Sequence, residues 1–421
     1  MGKVPIEVDM TNFRVELIKT LNQTKIQVPV LVDEVTLERT HNESASTLTF
    51  TCNKQMRSNK SDNNLAFSPG DMVRLLVDNV NVFQGRVFKK SRSSEHKIQV
   101  IAYDKIRYLL NEDTVVLGQD NDSKATYTLQ ELLDKITNIF NSLGFKDFMR
   151  FNISEKHADK LDKVKLEATV YENQTYLDMI LDTFEKIKAK QPTWNFSLYD
   201  HRGTIIVRFL EELIINSVNW KDPDYDYSNA VESSTKLKKM FDFPDSVLRV
   251  EPNGYNNVNT SKVVEETRID RFVAINNVEN FTHEQSIDDD VCTIVKFVSD
   301  QDTPDSKVHI EKIEYNKLSQ YGPLIHFENV ESFDGIKEKA SLLLKEKGSP
   351  KHGFSIEGCN GDISVRGGTG ILVHEMNVGH DRYNGHMLVK KVTHRFKGRD
   401  HAMDLTLTTH PKNPKIERVE G

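Results

Sequence analysis

Apolar and polar residues alternate in short runs over the first quarter of the chain. Val35 and Leu37, Leu48 and Phe50, Val73 and Leu75, Val87 beside Phe88, and Ile98, Val100 and Ala102 carry the pattern. Turn clusters part these runs at His41-Asn42-Glu43-Ser44, at Ser68-Pro69-Gly70-Asp71 and over residues 91–95. Period-2 alternation with turns at such spacing predicts an antiparallel sandwich or barrel. Ahead of it, residues 1–26 are polar apart from a mixed stretch, Phe13 to Leu21, and read as an N-terminal arm or edge strand.

The period then becomes helical. Thr128-Leu-Gln-Glu131 has the form of a capping box, and Leu129, Leu132, Leu133, Ile136, Phe140 and Leu143 follow at helical spacing, with Gly144 as the stop. A second helix starts at Thr175 and carries Leu177, Ile180, Leu181, Phe184 and Ile187. Trp194, Phe196 and Leu198, the turn Asp200-His-Arg-Gly203, then Ile205, Val207 and Phe209 read as a hairpin. Residues 216–350 show strand-like pieces near 247–250, 263–278 and 292–298, and a helix from about Phe333 to Lys347 that ends at Gly348. Alternation returns over 354–356, 363–365, 371–373, 387–392 and 403–407.

The predicted class is α+β, mainly β, with two similar small antiparallel β-barrels joined by α/β insert domains. The expected division is an arm at 1–26, a first barrel at 27–120, an α/β domain at 121–215, a mixed domain with an insert at 216–345, a second barrel at 346–410 and a charged, Pro-punctuated tail at 411–421.

The two barrels are suggested by a repeat. Gly70 leads a strand, Phe83-Gln-Gly85 opens the next, a Lys89-Lys90 pair closes it, and His96 precedes a third. Gly368, Tyr383-Asn-Gly385, Lys390-Lys391 and His401 recur in the same order. Gly70, Gly85, Gly368 and Gly385 are therefore read as the structural turns of the repeated barrels, since glycine accepts backbone angles other residues resist.

Composition narrows the function. Acidic residues (63) outnumber basic ones (56), giving a net charge of −7, against the basic excess of nucleic-acid proteins. No run of about 18 apolar residues predicts a membrane helix, and the stretch from Met1 to Asp9 lacks the apolar core of a secretory signal. Cys52, Cys292 and Cys359 are odd in number and far apart, which predicts a reducing site of synthesis.

Candidate chemistry fails on spacing. His374-Glu-Met-Asn-Val-Gly-His380 has Val378 where a zinc helix needs its second histidine. His352, His374, His380, His386, His394 and His401 crowd the C-terminal third, but none has a zinc spacing with cysteine; His394 and His401 fit a cross-strand pair better. Asp120-x-Asp122 with Glu131 resembles a calcium loop, yet Lys124 and Ala125 hold ligand and glycine positions, so it reads as a capped helix start. Asp288-Asp-Asp290 and Asp300-x-Asp302-x-x-Asp305 read as solvated loops, and Arg366-Gly-Gly-Thr-Gly370 as a turn before a strand. The Trp194 hairpin reads as core packing ahead of a sugar platform. No catalytic, cofactor or metal residue is assigned.

Four stretches carry a family resemblance: Phe67-Ser-Pro-Gly-Asp71 through Gly85 to Tyr103-Asp104-x-x-Arg107-Tyr-Leu109; Trp194-x-Phe196 with Asp200-x-x-Gly203; Tyr321-Gly-Pro-Leu with the helix after it; and Ile371 to Met403 with Val389-Lys-Lys-Val-Thr-His394. In this order they resemble baseplate hub proteins of contractile phage tails and phage-tail-like bacteriocins, the late-control D or XkdQ type. The resemblance implies a non-enzymatic homotrimer, a pseudo-sixfold ring joining tail tube to central spike, made in the bacterial cytoplasm and built into the particle. Its partners would be tail tube, spike, baseplate wedge and tape-measure proteins, with no specific nucleic acid, no membrane insertion and no cofactor. The chain is longer than compact members of that family, with extra sequence around 216–320. The alternatives are a secretion-system spike-type hub protein and a tail-associated peptidoglycan hydrolase; a receptor- or sugar-binding fibre module is a third class.

Overall fold

The structure is a computed structural model and describes residues 13–21, 24–30, 32–53, 68–77, 80–92, 97–118, 125–144, 148–153, 155–213, 246–247, 258–259, 280–288, 291–299, 308–330, 336–378 and 381–411. Asp120, Asp122, Lys124, Asp290, Asp300, Asp302, Asp305 and His380, the strand expected at 263–278, most of the 216–345 insert, and residues 412–421 lie outside them.

The chain opens with strands β1 (Phe13–Leu21), β2 (Thr24–Val30), β3 (Val32–Thr40), β4 (Thr47–Asn53), β5 (Met72–Val77), β6 (Val80–Arg92) and β7 (Lys97–Tyr103). A one-turn helix α1 (Ile106–Leu109) leads to an α/β unit: β8 (Glu112–Leu117), β9 (Thr126–Tyr127), α2 (Leu129–Ser142), β10 (Phe151–Ile153), α3 (Glu155–Leu161), β11 (Leu166–Glu167), β12 (Thr169–Thr175), α4 (Tyr176–Lys190), β13 (Phe196–His201) and β14 (Thr204–Phe209). Strands β15 (Ser246–Val247) and β16 (Val258–Asn259) pair with each other. The rest is β17 (Asn280–Ser286), β18 (Ile294–Ser299), β19 (Val308–Ile313), α5 (Tyr315–Tyr321), β20 (Ile325–Val330), α6 (Ile336–Lys347), β21 (Lys351–Asn360), β22 (Gly370–Val378), β23 (Asp381–Lys397) and β24 (Asp400–Thr409).

Local chemistry sets these elements. Thr128 and Glu131 close the expected capping box on α2. Thr175 caps α4 by accepting the Asp178 N–H at 3.0 Å. Their apolar stripes bury Leu132, Ile136, Leu177, Ile180 and Phe184 in one core with Phe196, Val207 and Phe209. The β13–β14 turn uses left-handed Arg202 (φ 53°) and Gly203 (φ 88°), the backbone of a tight hairpin turn.

The molecule is mainly β, but the two expected closed barrels are not what the strands form. A single twelve-stranded sheet runs β17-β21-β24-β23-β3-β4-β7-β6-β5-β1-β2, with β22 paired to β23. The reason is the ladder between β3 and β23, from Lys391 opposite Thr40 to Lys397 opposite Glu34. It welds the halves edge to edge, so Phe396 and Ile363 from the C-terminal half share a core with Val35, Leu37 and Phe50. Phe13–Leu21, expected as an arm or edge strand, lies between β2 and β5 with Val15 and Leu17 buried.

The halves repeat strand for strand. The first is ordered β3-β4-β7-β6-β5 and the second β17-β21-β24-β23-β22. Gly70 (φ 93°) donates to the Val87 carbonyl at 2.7 Å and Val87 donates to Asp71 at 2.8 Å; Gly368 (φ 88°) donates to Val389 at 2.9 Å and Val389 donates to Thr369 at 2.9 Å. A bulge follows each valine, at Phe88 and at Lys390. Past the bulge Lys89 opposes Ile101 and Lys391 opposes Thr406. Even the cysteines correspond: Cys52 opposes Ile98 and Cys359 opposes Met403.

Candidate functional site

Three parts of the chain meet at one joint. From the first half comes the β3–β4 turn. There His41 donates its N–H to the Lys390 carbonyl at 2.8 Å. Asn42, in the left-handed region at φ 55°, gives its side-chain N–H to the Phe196 carbonyl at 2.9 Å and receives the Leu198 N–H at 2.8 Å. The amide thus serves the hairpin strand β13 as a missing strand neighbour would.

From the second half comes the Arg366–Thr369 turn. A Cβ on Gly367 would stand 2.3 Å from the Thr40 carbonyl carbon and 2.5 Å from the His41 nitrogen. A Cβ on Gly368 would stand 2.3 Å from Ser197 Oγ. Gly367 lets two backbones touch, and Gly368 lets the turn close on the Ser197 side chain. Buried Arg366 lies over the Tyr199 ring of the hairpin at 4.3 Å.

Two carboxyls neighbour each other here, Asp104 buried and Asp200 part-buried. Asp104, at the end of β7, accepts N–H groups of Ser46 and Ile106, each at 3.0 Å. Asp200 accepts Gly203 N–H at 2.9 Å, while its Oδ2 has no hydrogen-bond partner. Burial drives the Asp104 carboxyl up to about 6. Burial and then the Asp104 charge hold Asp200 well above the usual carboxylate range. Both carboxylates pin turns, and neither faces the adjoining cleft of about 360 Å³ that His41, Phe184, Trp194, Phe196 and Leu388 help to line.

The sequence-selected residues fall as follows. Gly70 and Gly368 precede β5 and β22 at equivalent left-handed positions. Gly85 lies in β6 opposite Val73, where a Cβ would meet the Tyr103 carbonyl oxygen at 2.3 Å; Gly385 lies in β23 opposite Val373. Counting from Val87 and Val389 puts Gly85 level with Met387. His394 and His401 come together across β23 and β24, Nδ1 to Nε2 at 3.1 Å, and His394 Nε2 donates to the Val365 carbonyl at 2.9 Å. His352 pairs with His283 of β17 at 2.9 Å, a partner the sequence reading does not select. The side chains of His374, His380 and His386 lie outside the described residues. Trp194 packs edge-on against Phe209, centroids 5.3 Å apart. The missed residues are Asn42, Asp104, Asp200 and Gly367; the signal at hand was the turn cluster His41 to Ser44 and Asp200-x-x-Gly203.

Among the described residues, no group of three or more histidine, cysteine or acidic side chains is placed to hold a metal ion, and no helix is long and apolar enough to cross a membrane.

A family model described as YQBQ-like matches residues 35–242 and 253–408. No curated protein matches the chain. Among solved structures, the 43 kDa tail protein of prophage MuSo2 from Shewanella oneidensis is similar at 11% identity, covering 95% of this chain and 99% of that one, with a TM-score of 0.52. A tail protein from Neisseria meningitidis matches at 11% identity over 94% of this chain and 96% of that one, TM-score 0.51. Prophage tail protein gp18 from Listeria monocytogenes matches at 10% identity over 95% of each, TM-score 0.51. At such identities the fold is what is shared.

Proposed function

The chain belongs to the YQBQ-like family, and from that premise we propose that it is a structural component of a phage-type tail, the hub that joins tail tube to central spike. The observation that carries this is the repeat: two β units of the same strand order are joined by one ladder into a single sheet. Three such chains would present six like units, which suits a sixfold tube above and a threefold spike below. The fold shared end to end with three tail proteins supports the reading. In it the β units at 27–120 and 346–410 face the tube. The 121–215 and 216–345 segments brace them. Tail tube, spike, wedge and tape-measure proteins are the partners.

The test is location and assembly. Gold labelling of an affinity tag on assembled particles should place the chain on the particle axis at the tube end. A peripheral label would reject the hub. Incubation of the purified chain on cell-wall substrate should give no lysis; robust lysis would favour a hydrolase.

A further inference from the structure

The cleft of about 360 Å³ beside the joint has the size of a small-ligand site. Its lining is largely apolar, with Leu181, Phe184, Phe196 and Leu388 among the residues that form it. Most of its polar side chains are engaged within the protein. The His41 ring reaches the Phe196 carbonyl at 3.2 Å, and Asn42 bonds both Phe196 and Leu198. Asp182 accepts the Tyr171 hydroxyl at 2.7 Å and pairs with Lys186 at 2.8 Å. Lys188 pairs with Glu346 at 3.0 Å.

Three groups of the lining are not engaged. The carboxylate of exposed Glu185, the side-chain amide of half-buried Asn195 and the indole N–H of half-buried Trp194 form no hydrogen bond or ion pair among the described residues. Their needs differ: a carboxylate only accepts, an indole only donates, and an amide does both. An ammonium ligand, a donor alone, would leave the indole and the amide N–H groups unmet. A phosphate or carboxylate ligand would meet the Glu185 charge. A hydrocarbon would cover all three groups without bonding any. Hydroxyls both donate and accept, so a polyhydroxy ligand satisfies the whole set. A sugar ring also turns a face of C–H groups outward, which suits Trp194 and the apolar lining.

The site extends past Glu185. A second cleft, of about 290 Å³, shares Glu185 and Lys188 with the first and is lined by Phe327, 57% exposed, and Leu342, 41% exposed. An aromatic ring lines each cleft, and the unengaged carboxylate lines both.

We propose that the Trp194 cleft binds a neutral saccharide and that the Phe327 cleft takes further units of a longer glycan. Glu185 accepts from the sugar hydroxyls, Asn195 and Trp194 donate to them, and the C–H face rests on the aromatic lining. Binding here is not cleavage. Glycoside hydrolysis takes two carboxyls flanking the bond, and the second carboxyl of the cleft, Asp182, is held by Tyr171 and Lys186. The site is independent of the hub reading and would stand if that reading failed.

The test uses the full-length chain with Trp220→Phe, which leaves Trp194 as its one tryptophan. Its emission is followed during titration with maltose, cellobiose and N,N′-diacetylchitobiose. At least one disaccharide should give a saturable shift at millimolar concentration or below, and spermidine should give none. Glu185→Ala and Asn195→Ala should each weaken binding about tenfold, with circular dichroism unchanged. Phe327→Ala should weaken the tetrasaccharide of the same series and leave the disaccharide as it was. Silence towards all three sugars at tens of millimolar would overturn the site. So would a response to spermidine alone, or sugar binding that Glu185→Ala and Asn195→Ala leave unchanged.

Discussion

Asn42 and Leu198 lie far apart in the chain, yet the Asn42 side-chain oxygen receives the Leu198 N–H at 2.8 Å. Together with the bond to the Phe196 carbonyl, this ties the first β unit to the α/β unit beside the His41 ring, which reaches the same carbonyl at 3.2 Å. Asn42→Ala removes both bonds and strands the Leu198 N–H, while the Phe196 carbonyl keeps the His41 ring nitrogen at 3.2 Å, so it should cost about 1–3 kcal/mol in urea unfolding. Asn42→Gly tolerates the left-handed backbone and isolates the hydrogen-bond share. Amide exchange at Leu198 should quicken in both variants.

Gly367 and Gly70 separate two ways in which glycine is required. At Gly367 a Cβ meets the Thr40 and His41 backbone, which cannot swing aside. Gly367→Ala should destabilise by about 3 kcal/mol or more and loosen the β3–β23 ladder. At Gly70 no atom lies within 4 Å of a Cβ, and only the positive φ resists. Gly70→Ala should cost about 1–2 kcal/mol. Equal losses would contradict this distinction.

Asp200 should act against stability at neutral pH. Its carboxyl is raised by burial and by Asp104, so the folded chain holds the proton longer than the unfolded chain does. The contribution is greatest below the ordinary carboxylate range and declines as pH rises through the raised folded value. Asp200→Asn should therefore melt a few degrees above the parent at about pH 8. The gap should close towards about pH 4.

The His394–His401 pair has the opposite sign. Burial, then the neighbouring imidazole, pushes His394 well below 6.5, and burial pushes His401 to about 4. The unfolded chain binds these protons first, so stability present above about pH 6.5 is lost as pH falls towards 4. His401→Phe keeps the stack on Phe396, now with centroids 4.2 Å apart, and should flatten part of that acid limb. An unchanged limb would contradict the pairing.

How much was legible follows from how local each feature is. The caps at Thr128 and Thr175, the helical stripes and the hairpin turn at Asp200 to Gly203 each announce themselves within a few residues. His394 and His401 could be paired because adjacent antiparallel strands join them. The strand order of each half was half-visible through its glycines and lysines. The β3–β23 ladder was not, because pairing between distant strands leaves no local trace, and so two barrels were expected where one sheet stands. For the same reason Gly367 reads as a turn but not as the place where its backbone meets that of Thr40 and His41. Asp104 and Asp200 look like ordinary strand-end residues until the fold buries them.

The central claim is that this chain assembles through its own repeated units. Light scattering on the purified full-length chain across a concentration series tests it most directly. The account predicts a closed species at three times the 48.3 kDa chain mass, with no larger ladder. A mass that stays at one chain over the whole series, or climbs without limit, would contradict it.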